Sequence, residues 1–318
     1  MTVVINPTGE VPDVPQVPDQ HVPTTAAGRV RKGMSNPVAS TIAIVIGVLW
    51  TIPTLGLLVQ SFRSKAGQDQ RGWWTFSDMT LDNYKRVLSG SGNVLPYVIN
   101  SIVIVIPAAI IPIVVAALAS YALVWIDFRG RDWIYIAIFA LQVVPLQVAV
   151  VPMLRLVVSG VHIGSITILP PLGLAGTVGA VWLAHSCFAL PLAVFLMHNF
   201  MSEIPRDLLE AARIDGASHG QIFRQIMLPL MRPALAAFGI FQFLWVWNDL
   251  FVGLVMSGGT TGISPITVKI NLLVGSTTGA GGEVIPAAAF VSIVIPVIVF
   301  MALQRYFVRG LLAGSVKG

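Results

Sequence analysis

Six stretches of this chain are apolar for long enough to cross a hydrocarbon layer, and that repetition leaves few folds open. They run over about 38–60, 97–125, 133–154, 178–199, 234–256 and 285–306. A membrane core of about 30 Å needs roughly 20 apolar residues in helical form. Each stretch is continuous rather than alternating, which favours helices over the ten-residue alternating segments of a β-barrel. Composition agrees: 55% of the 318 residues are hydrophobic and 10% charged, against roughly 25% charged in soluble domains. The expected fold class is all-α, a polytopic integral membrane protein of six transmembrane helices.

The flanking segments are organised differently. Residues 1–36, with VPDVPQVPDQHVP at their centre, are too rich in proline and polar residues to fold alone and read as a disordered cytoplasmic tail. They lack the form of a signal peptide, since the first apolar run begins only near Val38. Residues 37–318 make up the transmembrane domain. Pro145 and Pro152 interrupt the third span, and Pro170 and Pro171 follow in the connection to the fourth. Kinks beside a pathway and ordinary packing kinks account for these prolines equally well.

Lys and Arg set the orientation. With the N-terminus inside, twelve of the 19 cations face the cytoplasm, including Arg206, Arg213, Arg224 and Arg232 of one long polar loop, as the positive-inside rule expects. Both termini and the 200–233 loop are then cytoplasmic. The 61–96 loop, carrying Trp73, Trp74 and Tyr84, lies outside as a small interfacial cap. The net charge of +5 reflects this sidedness, and no basic–aromatic cluster suggests nucleic acid. Cys187 is the single cysteine, so the chain holds no internal disulfide or thiolate cluster.

The 200–233 loop carries signals for two short helices and a turn. Pro205 suits a first helical position. Asp207 and Glu210 favour the positive helix end, and Gly216 suits a left-handed C-cap. Ser218 and Gln221 form a capping-box pattern for a second helix, with Ile222, Phe223, Ile226 and Met227 on one face. Pro229 is expected to end that helix and Pro233 to open the fifth span. Ala211, Ala212 and Ala217 permit close approach to a partner, with Phe223 and Ile226 as anchors. An amphipathic hairpin resting on lipid headgroups fits the same spacing.

Chemistry-bearing motifs are few. No G-x-x-x-x-G-K-[ST] phosphate loop occurs, the five histidines lack metal-ligand spacing, and no catalytic residues, cofactor site or metal site are expected. Asn100, Gln142, Gln147, His185, Asn248 and Asp249 are polar positions within the spans, able to line a solute path or to join helices. An intramembrane carboxylate raises the alternative of a self-contained, ion-driven secondary transporter using Asp249. A carboxylate satisfied by Trp245, Trp247 or backbone is the commoner arrangement, and no inverted repeat is visible.

The stretch EAARIDGASHGQIFRQIMLPLMRPAL, 210–235, resembles the coupling loop of binding-protein-dependent ABC importer permeases. It shares Glu210-Ala211-Ala212, Asp215-Gly216 and Leu228-Pro229 in order and spacing. LDNYKRVL (81–88), WNDLF (247–251) and QRYFVRGLLAGSVKG (304–318) are similar to the carbohydrate, MalG-type branch. The resemblance runs from about residue 40 to the end. The 163–176 stretch looks longer than the family's connection there. The resemblance implies a type I importer permease fold in the prokaryotic plasma membrane. It implies as partners a second MalF-like permease, two ABC ATPase subunits or domains and an extracellular solute-binding protein, with membrane lipid around them and no nucleic acid. ATP and Mg would be held on the ATPases, with no cofactor in this chain. The loop residues Glu210, Ala211, Ala212, Asp215, Gly216, Ser218, Phe223, Ile226, Leu228 and Pro229 would couple to the ATPase. The C-terminal tail from about 307, with Gly314, Lys317 and Gly318, would contact it too.

Overall fold

The computed structural model describes residues 37–70, 72–90, 92–275 and 282–315, with side chains left aside at 69–70 and beyond 304. The 1–36 tail, Lys317 and Gly318 lie outside the described residues. Among the described residues five helices are long and apolar enough to span a membrane, and a bent pair, taken as one span, brings the number to six. In chain order they are α1 (Pro37–Ser61), α4 (Leu95–Trp125), the pair α5 (Arg131–Ala140) and α6 (Leu146–Ser159), α7 (Val178–Ser202), the run from His219 to Asn248, and α13 (Ile285–Ser315). Ser315 lies beyond the expected end of the last span, so the 307–318 tail is helical through most of its length.

Two expectations are corrected and one is sharpened. The interruption expected in the third span is an abrupt break whose halves meet at 107°. The cause is local, because Pro145 excludes the residue before it from helical backbone and Val144 is extended (φ −70, ψ 119). Pro152, by contrast, is absorbed within α6. The fifth span stops at Asn248 rather than near 256. Asp249 leaves helical backbone, a short helix α11 (Phe251–Ser257) follows, and then α12 (Ile266–Gly275). Nor does Pro229 end a helix. The chain passes from α9 (His219–Ile222) through a π-helical segment (Phe223–Met227) into α10 (Leu228–Asn248). The proline ring would crowd the carbonyl four residues earlier in an ideal helix, and that carbonyl belongs to Gln225, inside the widened turn.

The extra length near 163–176 contains an exposed two-stranded hairpin, β1 (Val161–Ile163) with β2 (Ile166–Leu169). It is a small exception in a helical chain. Gly160 ends α6 at φ +75, where an added Cβ would lie 2.2 Å from the Leu169 carbonyl oxygen, so the chain can fold back only with glycine there.

Between α1 and α4 the cap adds α2 (Lys65–Gln70) and α3 (Asp82–Ser89). It is tied together by polar contacts: buried Asn83 donates to the Ser61 and Arg63 carbonyls, and Gln68 donates to the Glu283 carbonyl. Arg86 pairs with Glu283 at 2.9 Å, which locks the cap to the start of α13.

Two apolar cores divide the bundle lengthwise. One, beneath the cap, joins α3, α4, α7 and α13 through residues such as Val87, Val98, Ala184 and Ala288. The other, at the opposite end, joins α4 and α7 to the polar loop through Met197, Met201, Leu209, Ile222 and Met227. The α4–α7 pair is the most extensive helix contact. Small residues let those two approach: Ala116, Ala184 and Ala193 are fully buried, and buried Ser120 donates across the seam to the Val194 carbonyl.

Candidate functional site

The polar loop folds as an elbow. α8 (Arg206–Ile214) begins after Pro205, which stands one position earlier than expected, as the N-cap residue. Asp207 sits in the first turn, while Glu210 lies further along and is exposed. Gly216, at φ +78, reverses the chain as the sequence suggests. The Ala217 N–H donates to the Ala212 carbonyl (2.9 Å) and the Gly216 N–H to that of Arg213 (3.0 Å). This double closure is the Schellman arrangement that satisfies the last carbonyls of a helix. The Ser218–Gln221 capping box is complete in both directions, so both sides of the turn are fixed within a few residues.

The elbow is seated on the spans by its apolar face. Leu209, Ala212, Ile222 and Met227 are buried against α4 and α7. Phe223 meets the Tyr121 ring edge-on at 5.3 Å, and the Tyr121 hydroxyl is 2.9 Å from His219 Nδ1. Further along, Tyr135 of α5 stacks on His198 at 3.9 Å. A movement of the elbow must therefore carry α4 and α7 with it.

Several of the expected coupling residues also contribute to this seating. Phe223 and Ile226 are half-buried in the protein's own core, Ala212 is buried and Ala217 half-buried. Leu228 and Pro229 are half-buried in the continuous helix. The outward face instead carries Glu210, Ala211 and Asp215 with two large apolar residues, Leu208 (44% exposed) and Ile214 (86% exposed). Sequence reasoning missed those two. Their spacing with Ala211, three residues to either side, was the available signal, since i, i+3 neighbours share a helix face.

The polar positions within the spans separate by role. Asn100 donates to the Ser264 carbonyl and Asn248 to that of Leu244, both backbone tethers. Asp249 accepts the Gly253 N–H at 3.0 Å, capping α11. Its other neighbour is the His185 ring, 3.7 Å away. Of the expected partners it is the backbone that holds Asp249, while the Trp247 indole donates to the Ser292 carbonyl on α13. Gln147 is exposed on α6. Gln142 and His185 line a cavity of about 570 Å³ between the α5–α6 break, α7 and α10. Gly314 lies near the end of α13.

Residues 113–312 match the family model described as binding-protein-dependent transport system inner membrane component. A permease for uptake of osmoprotective compounds in Synechocystis sp. is 44% identical over 281 residues, covering 86% of this chain and 90% of the relative. An alpha-glucoside transport permease of Rhizobium meliloti is 45% identical, covering 82% and 67%. The trehalose permease SugB of Mycobacterium tuberculosis is 33% identical, covering 76% and 84%. Among solved structures, a chain of a bacterial ABC transporter importing alginate aligns with TM-score 0.70 at 21% identity. That alignment covers 89% of this chain and 98% of that one, and it supports the fold.

Proposed function

The chain belongs to the binding-protein-dependent transport system inner membrane components, and from that premise we propose that it is half of the pathway of an ATP-driven importer for a sugar or related solute. The relatives' substrates support that class, since they transport alpha-glucosides, trehalose and osmoprotective compounds. The chain is non-catalytic in this reading, and ATP with Mg binds on separate ATPase subunits. A second, MalF-like permease completes the channel, and an extracellular solute-binding protein delivers substrate. Both termini and the elbow face the cytoplasm.

The observation that carries the reading is the elbow itself: a doubly capped helical turn with an exposed apolar tip at Ile214 and a base buried in α4 and α7. Such a part suits helix-in-groove docking and passes rigid-body motion of a partner into the spans. Glu210, Ala211, Asp215 and Gly216 lie on or beside that tip and form the docking surface together with Leu208 and Ile214. Gly314 near the end of α13, with Lys317 and Gly318 beyond the described residues, adds a second contact to the ATPase.

The ion-driven alternative through Asp249 is weakened by the carboxylate's position, because it is occupied as a helix cap. The deciding measurement is uptake in whole cells. Transport should collapse on ATP depletion and survive an uncoupler that leaves ATP intact. The reverse pattern refutes the proposal.

A further inference from the structure

The cavity of about 570 Å³ at the α5–α6 break is not explained by the elbow, by helix packing or by ATPase coupling. Its size falls within the ~300–1,000 Å³ typical of small-ligand sites. Phe241 and Trp245, one helical turn apart on α10, form a tilted aromatic pair along one wall, with centroids 5.9 Å apart. Both are substantially exposed, at 43% and 51%. Opposite stand the Pro145 break and Gln142. Deeper in, Gln242 spends its amide N–H₂ on the Ala108 carbonyl, which leaves its own oxygen as an acceptor. His185 and the chain's single cysteine, Cys187, complete the polar lining. Among the described residues no Asp, Glu, Lys or Arg lines it, and the Asp249 carboxylate stands behind the His185 ring, 3.7 Å from it.

We infer that this cavity is a subsite for a neutral hexose ring, so that this subunit contacts the transported solute directly. The inference rests on the importer reading above and names where its solute sits. The chemistry selects the class. A pyranose has an apolar C–H face that packs on an indole and a rim of hydroxyls that need amide donors and acceptors, and the cavity offers both. A carboxylated sugar entering the same place would find no cation to pair with, and burying an unpaired charge is costly. A quaternary ammonium solute would be drawn to an aromatic wall, but it would gain nothing from two glutamines.

Cys187 supplies a reporter without engineering. The test uses the intact transporter complex in sealed proteoliposomes, a small methanethiosulfonate reagent, and trehalose as probe, with glycine betaine and glucuronate as controls. Trehalose should slow Cys187 modification at least threefold while the controls leave it unchanged. Trp245→Ala should abolish that protection and raise the KM for trehalose uptake about tenfold, with a smaller change in maximal rate, the pattern of lost solute binding. Gln142→Ala should act in the same direction.

Protection by glycine betaine alone, or equal protection by glucuronate, overturns the neutral-sugar assignment. A Cys187 that resists the reagent in every nucleotide state also overturns it, because a cavity that admits a sugar admits a smaller thiol reagent. Sensitivity to added phospholipid in place of trehalose would assign the cavity to an acyl chain. ATP-dependent uptake in the same preparation separates the two levels. Uptake without protection removes the subsite alone, and absence of ATP-dependent uptake removes the importer reading beneath it.

Discussion

At the scale of single residues, the elbow depends on Gly216. Its φ of +78 leaves open space where a Cβ would stand, so a side chain there meets a backbone penalty rather than a clash. For a β-branched residue that penalty is about 1–3 kcal/mol. Gly216→Val should therefore insert normally and lose most ATP-dependent uptake, whereas Gly216→Asn, which tolerates the left-handed region, should retain most of it. Wild-type uptake by the valine variant would show that this turn transmits nothing. Asp249 separates the cap reading from proton relay. Asp249→Asn keeps an oxygen for the Gly253 N–H and should transport at close to the normal rate. Asp249→Ala should lose about 1 kcal/mol of capping and show reduced yield. An asparagine variant that is folded but inactive would restore the ion-driven alternative.

At the scale of elements, the π-helical segment sets the phase between elbow and span. Ile222 and Met227 are both fully buried, yet five residues of ideal α-helix would place them roughly 140° apart. One widened turn returns them to a common face, and Met231, four residues further, continues it. Deleting exposed Gln225 together with Pro229→Ala should give a plain α-helix with Ile222 still in phase, and uptake should largely persist. Inserting alanine after Gln225 should rotate the elbow by about 100° and abolish uptake. Equal loss in both variants would mean that phase is irrelevant and that any disturbance there is fatal. Gly216 and the Ser218–Gln221 box were legible in the sequence because their signals are local. The inward turn of Phe223 and Ile226 was not, since an amphipathic face announces that it will be buried and not against what. The passage through Pro229 was hidden for a related reason. A proline reads as a helix end unless the chain can widen the preceding turn, and only the packing of Met227 and Met231 shows that it does.

For the whole molecule, the spans were readable in number and order from hydropathy alone. The depth of the α5–α6 break was not, because Pro145 signals interruption without fixing an angle. The apolar windows of the spans range from 6% buried in α1 to 56% in α7. Burial is concentrated in α4 and α7, with broad apolar surface left elsewhere for lipid or a partner to cover. Solubilised in mild detergent, the chain should co-purify with a second permease and an ATPase in stoichiometric amounts. ATP-dependent uptake in proteoliposomes containing this polypeptide and no companion would rule out that arrangement.

Among the described helices, α1 packs at length only against α13, which is synthesised after the other described helices. During synthesis the first span must wait in the bilayer, nearly bare, until translation of its neighbour is complete. Nonsense mutations late in the gene should therefore expose α1 to membrane quality control, and a proteolytic fragment beginning near residue 37 would mark chains that never received their final helix.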